Sequence, residues 1–193
     1  MRLCRAAAGA VNSTYNGLSN VRHVKIRSGR ALDLDASERA IERLEKEMMK
    51  GRGRWVADFN ESFLEYRVGD VTFDLFISGN TRVKGFLLSR FFSFFLNPNY
   101  EVGFFAISTD AENEPNPRKL RKWILAVKSC MKKSEMKWAW LMLVGQSPSD
   151  SARKCIQEAT DRDVGVAYVD VNSREVISAD TYLGRQLRKY VKI

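Results

Sequence analysis

The sequence predicts an α/β fold: a mixed central sheet with an N-terminal antiparallel hairpin portion and helices on both faces. Three observations predict it. "SFLEYRVGDVTFDLFI" alternates apolar and polar residues on either side of Gly69-Asp70, the pattern of a hairpin with one buried face. "YEVGFFAIS" lacks that alternation, as a strand covered on both faces does. From there the chain runs strand, helix, strand, helix, strand, a rhythm that builds a sheet sandwiched between helices.

The first 34 residues show no sustained periodicity and carry small, polar and basic side chains, so residues 1–34 are expected to form a flexible basic N-terminal arm. Residues 35–193 are then a single α/β domain. A helix is expected from Asp35, where "DASE" places Glu38 three residues after a capping aspartate. Its apolar stripe is Ala40, Ile41, Leu44 and Met48, and Gly51 closes it. Arg39, Arg43, Lys46 and Lys50 lie elsewhere on the surface of this helix, mixed with glutamates.

Strand segments follow at "RWVADF", "SFLEYRV" and "VTFDLFI", with Gly69 at the first central position of a type II′ turn. Leu64, Tyr66, Val68, Val71, Phe73, Leu75 and Ile77 share the expected core face. "NTRVKGFLLSRFFSFFLN" reads as a helix that is apolar nearly all round. After "YEVGFFAIS", Asn116 caps a helix that starts at Pro117 and buries Leu120, Trp123, Ile124, Val127 and Met131. The strand "KWAWLMLV" leads to the loop "GQSPSD", where Ser147 caps a short helix. "VGVAYVDV" and "EVISA" pair around Asn172-Ser173, and a last helix from about Asp180 turns Leu183, Leu187 and Val191 inward.

Composition excludes several classes. With 45% hydrophobic and 28% charged residues the chain is not globally disordered. No apolar run reaches the ~20 residues that cross a bilayer; "VKGFLLSRFFSFFL" is too short and carries Lys84 and Arg90. No membrane partner is expected. The N-terminus lacks the apolar core of a secretion signal. Cys4, Cys130 and Cys155 are odd in number and widely spaced, which fits neither a disulfide framework nor a zinc site. One histidine, His23, excludes a His-rich metal centre. A reducing, cytoplasmic location is expected.

Charge is unevenly spread. The net charge of +9 divides into +5 over residues 1–53, −3 over 54–112 and +7 over 113–193. Basic ends suit a polyanionic partner, DNA or RNA, because cations that displace condensed counterions supply most non-specific affinity. On the helix "PRKLRKWILAVKSCMKK", Arg118, Lys119, Arg121, Lys122, Lys128, Lys132 and Lys133 occupy the side away from the apolar stripe, with no glutamate among them. The last helix repeats the pattern with Arg185, Arg188, Lys189 and Lys192. Solvated helix faces more often mix signs to gain neighbouring ion pairs. Two such faces, if adjacent, would follow a phosphate backbone.

A second constellation lies on the hairpin. Glu65 and Asp74 fall opposite each other across the Gly69-Asp70 turn, and like charges in that position repel. With Asp58 and Glu101 they offer oxygen ligands for Mg²⁺ or Mn²⁺. A metal-dependent nuclease would use Glu65, Asp74 and the downstream Lys84 as catalytic residues, with Asp74 and Glu101 on the ion. The competing reading is a wet sheet face on which Arg67 neutralises the pair.

The order helix, strand, hairpin, strand, helix, strand resembles the core of the restriction-endonuclease-like, PD-(D/E)xK superfamily. The stretch "KWAWLMLV…SDSARKCIQEATDRDVGVAYVD…TYLGRQL" is similar in rhythm to the tail of its Mrr-type members. The resemblance covers residues 36–191 by element order. It puts Asp74 of "TFDLF" in the place of the motif aspartate. The (D/E)xK element is absent from the next strand, where Ala106, Ile107 and Ser108 stand; "TRVKG" keeps Lys84 but has Arg82 in the acidic position. The resemblance therefore implies a nuclease-like fold whose cleaving motif is eroded.

The expected function is nucleic-acid binding through the basic helix faces, with no cofactor. The alternatives are an active Mg²⁺- or Mn²⁺-dependent nuclease, and an assembly subunit that forms a homo-oligomer or meets a protein partner through the apolar helix 83–96.

Overall fold

A computed structural model describes residues 31–51, 57–81 and 100–191. The expected arm (except residues 31–34), the apolar helix 83–96, Lys84 and Lys192 lie outside the described residues. Within them a six-stranded mixed sheet runs in sequence order: β1 (Asp58–Val68), β2 (Val71–Asn80), β3 (Glu101–Ser108), β4 (Trp138–Gly145), β5 (Val164–Asp170) and β6 (Val176–Ser178). β1, β2 and β3 pair antiparallel, β3, β4 and β5 parallel, and β6 returns antiparallel to β5. Four helices are described: α1 (Ala31–Lys50), α2 (Pro117–Lys133), α3 (Asp150–Gln157) and α4 (Tyr182–Tyr190).

The sheet separates two cores. On one side Leu120, Trp123, Val127, Cys130 and Met131 of α2, with Ile156 of α3, pack on Phe105, Ile107, Leu141, Leu143 and Val166. On the other, Ala40, Ile41, Leu44 and Met48 of α1, with Leu183, Leu187 and Val191 at α4, pack on Phe104, Ala106, Trp140, Met142 and Val169. Alternate residues of β3, β4 and β5 thus enter opposite cores. That is why their sequences are apolar throughout.

Local chemistry sets the element ends. Asn116 Oδ1 accepts the N–H groups of Arg118 and Lys119, and Pro117 opens α2 with a φ already suited to a helix. Ser149, not Ser147, caps α3, its Oγ accepting Ala152 N–H at 3.2 Å. Ser147 instead adopts a φ of 41° in the loop before it. Thr181 caps α4. α1 begins at Ala31, so "DASE" lies inside the helix rather than at its start.

The hairpin departs from simple alternation. "RWVADF" and "SFLEYRV" read as separate strands; Arg54, Trp55 and Val56 lie outside the described residues, and from Asp58 onward the chain is one strand, with a register shift between Phe59 and Glu61 that accommodates Asn60. Gly69 has φ 60° while Asp70 does not share the positive sign, the combination of a type II′ turn. Glu65 is left-handed at φ 52°, which resets the alternation of period two. Phe63 and Tyr66, an odd number of residues apart, therefore both stack near Phe76. The expected single core face is divided: Phe73 enters the α2 core, Leu75 and Ile77 enter the α1 core, and Leu64 is exposed.

Candidate functional site

The opposed carboxylates keep their register but not their partnership. Leu64 pairs with Leu75 and Tyr66 with Phe73, so Glu65 faces Asp74 by count. Glu65 is exposed. Asp74 Oδ2 instead accepts the backbone N–H of Ser108 and its hydroxyl, the latter at 2.7 Å, tying β2 to the end of β3. Glu101 pairs with Asn80 and Leu75 with Ala106, so Glu101 and Asp74 lie towards opposite ends of β3. Six residues of strand separate them, roughly 20 Å at ~3.3 Å per residue. One ion with oxygen ligands at ~2–2.6 Å cannot join them. No group of three or more His, Cys, Asp or Glu that could hold a metal occurs among the described residues.

The two basic helices are not neighbours. α2 belongs to one core and α4 to the other, so their exposed sides point away from each other across the sheet. A single track over both is not formed. On α4, Arg185 Nη1 pairs with Asp180 at 2.7 Å, and Arg188 is exposed. On α2, Lys128 pairs with Asp161 at 2.7 Å, and Lys119 Nζ donates to the Glu112 carbonyl at 2.8 Å. Arg118, Arg121, Lys122, Lys132 and Lys133 are exposed and form no ion pair among the described residues. Helical spacing puts these five on one arc. In its centre lies Leu125, 57% exposed.

Beside that arc an open groove of about 450 Å³ runs between α2 and α3, lined by Leu120, Arg121, Leu125, Lys128, Cys155 and Asp161 among others. Burial first, then the Glu158 carboxylate, push the Cys155 thiol up, which leaves it a poor nucleophile at neutral pH.

A polar cluster that sequence reasoning missed sits at the carboxyl ends of the parallel strands. Asp170, 4% exposed, ends β5. Its carboxylate accepts Ser147 N–H at 3.2 Å, Asn172 N–H at 3.0 Å and Ser173 Oγ–H at 2.8 Å. Burial works to raise its pKa, but these hydrogen bonds outweigh that and hold the carboxyl below the usual carboxylate range. Glu114 accepts Ser149 N–H at 2.6 Å. Two backbone donors of "GQSPSD" are thus engaged by the protein's own acids, and the loop is stapled internally. The one signal available beforehand was an aspartate at the end of a strand otherwise apolar.

Next to it, Gly145 leaves room for Thr109 Oγ1 and Tyr168 Oη, both of which a Cβ would overlap. Burial raises the Tyr168 phenol, against a lowering hydrogen bond with Thr109, so the ring stays neutral. Trp138 and Trp140 share the α1 side of β4 and serve packing. Among the described residues, no helix is long and apolar enough to cross a membrane. No family model matches the sequence, and comparisons with curated proteins and with solved structures find no match.

Proposed function

We propose that the protein binds nucleic acid, DNA or RNA, through the exposed arc of α2. The observation that carries this reading is a helix of 17 residues with no acidic side chain and, on one side, five exposed cations that form no ion pair among the described residues. The arrangement costs stability. Arg118 and Lys119 stand in the first turn, where the positive end of the helix dipole repels them by about 0.3–1 kcal/mol each at an exposed site. Like charges at neighbouring helical positions add to that. An anionic polymer reverses both penalties. From Arg118 to Lys133 the arc extends roughly 22 Å at ~1.5 Å per residue, long enough to meet several phosphates. Leu125 offers an apolar contact amid the cations for a base or sugar.

The test is fluorescence anisotropy with single- and double-stranded oligonucleotides at two salt concentrations. Affinity falls with salt, with a slope of roughly 0.7–0.9 per phosphate contact. Arg121→Glu with Lys122→Glu weakens binding at least tenfold and flattens the slope, while Arg185→Glu with Arg188→Glu on α4 has a much smaller effect. Binding that ignores salt, or ignores the α2 reversal, refutes the reading. Metal-dependent cleavage gains no support from Asp74, whose Oδ2 is committed to Ser108.

A further inference from the structure

We propose that a pocket between α1 and the β5–β6 turn binds a single phosphate group, held by Arg39, Arg43 and Arg174. The pocket has a volume of about 150 Å³ and is lined by these three arginines with Ala36, Ala40 and Val171. At ~30 Å³ per water, that is room for roughly five waters, enough for a phosphate group. Among the described residues, no acidic side chain lines it. Of the acids on the β5–β6 side, Glu175 pairs with Arg153 at 3.0 Å, and Asp170 is saturated by Ser147, Asn172 and Ser173. Arg43 and Arg174 form no ion pair among the described residues.

Three features of this pocket favour an anion. Arg39 and Arg43 are one helical turn apart on the same side of α1, where like charges repel. Arg174 lines the same pocket from another element. Arg174 also adopts a left-handed backbone, φ 58°, which glycine would occupy without strain. Guanidinium forks match phosphate oxygens in pairs, and small side chains at Ala36 and Ala40 let an anion approach. Val171 directly follows β5, so the pocket lies at the carboxyl edge of the parallel strands, where open α/β sheets receive ligands. It is on the α1 side of the sheet, away from α2, and stands or falls separately from the nucleic-acid reading.

Calorimetry on the full chain with inorganic phosphate, a mononucleotide, and one short oligonucleotide carrying either a 5′-phosphate or a 5′-hydroxyl tests the proposal. Saturable phosphate binding is expected, weakened at least tenfold in Arg43→Gln and in Arg174→Gly. Arg121→Glu with Lys122→Glu leaves it unchanged. With phosphate bound saturably, equal binding of phosphate and mononucleotide marks a small-molecule ligand, and tighter binding of the 5′-phosphorylated oligonucleotide than of its 5′-hydroxyl counterpart marks a strand end. Because Arg174→Gly relieves backbone strain, its melting temperature is expected to equal or exceed that of the wild type while phosphate binding is lost. Absence of saturable phosphate binding in the wild type, or wild-type affinity in both arginine variants, overturns the proposal.

Discussion

Asp74 and Ser108 are joined twice, the carboxylate of one accepting both the backbone N–H and the hydroxyl of the other. This link fixes the end of β3 against β2, where the ladder of the two strands stops at Leu75 and Ala106. It explains why an aspartate opposite Glu65 is tolerated: Asp74 finds donors on the neighbouring strand rather than a counter-ion across the hairpin.

Asp74→Ala is therefore expected to destabilise the fold by about 1–3 kcal/mol, the cost of leaving a half-buried donor without its acceptor. Ser108→Ala, which removes only the hydroxyl bond, costs about 1 kcal/mol. Urea denaturation measures both. A neutral Asp74→Ala would show that the double link carries no stability.

Asp170 makes stability depend on pH. Its pKa is lowered from 3.8 in the folded state, so it binds protons more readily when unfolded. The stabilisation is fully present above about pH 5 and is lost as pH falls through the folded pKa. Asp170→Asn is expected to flatten the acid limb of the stability profile between about pH 5 and 2. It also loses about 1–3 kcal/mol at neutral pH by weakening charge-assisted bonds to Ser147, Asn172 and Ser173. Denaturation midpoints across that range decide it; parallel acid limbs for the two proteins would contradict the assignment.

Gly145→Ala introduces a Cβ onto Thr109 and Tyr168. Both neighbours are buried, and the nearest backbone atom, the Thr109 carbonyl oxygen, would lie 2.7 Å from the added Cβ. A loss of about 1–3 kcal/mol is expected, as for other overpacked sites. Thermal melts read it, and an unchanged midpoint would mean that the strand ends relax freely.

Arg118→Glu separates stability from binding. An acid in the first turn of α2 complements the helix dipole, so stability is expected to rise by about 0.3–1 kcal/mol. Nucleic-acid affinity is expected to drop several-fold in the same variant. Parallel urea melts and anisotropy titrations show the trade, and a drop in both would place Arg118 in a structural role.

The sequence by itself determined the α/β class, the hairpin turn at Gly69, the cap at Asn116 and the inward stripes of α1, α2 and α4. These follow from local chemistry: a period of two or 3.6, a left-handed glycine, a side-chain acceptor beside free N–H groups. It also determined that α2 carries cations without acids. Which of these faces meet follows only from how the chain packs. Helical periodicity says that α2 and α4 are amphipathic, but not on which side of the sheet each packs, and they pack on opposite sides. Residues far apart in sequence, Asp74 with Ser108, Ser147 with Asp170, and Arg43 with Arg174, share sites because strand order and crossovers bring chain ends to one edge. Glu65 shows the converse: a single left-handed residue inside a strand leaves no mark in the sequence alternation, yet Phe63 and Tyr66 on either side of it both stack near Phe76.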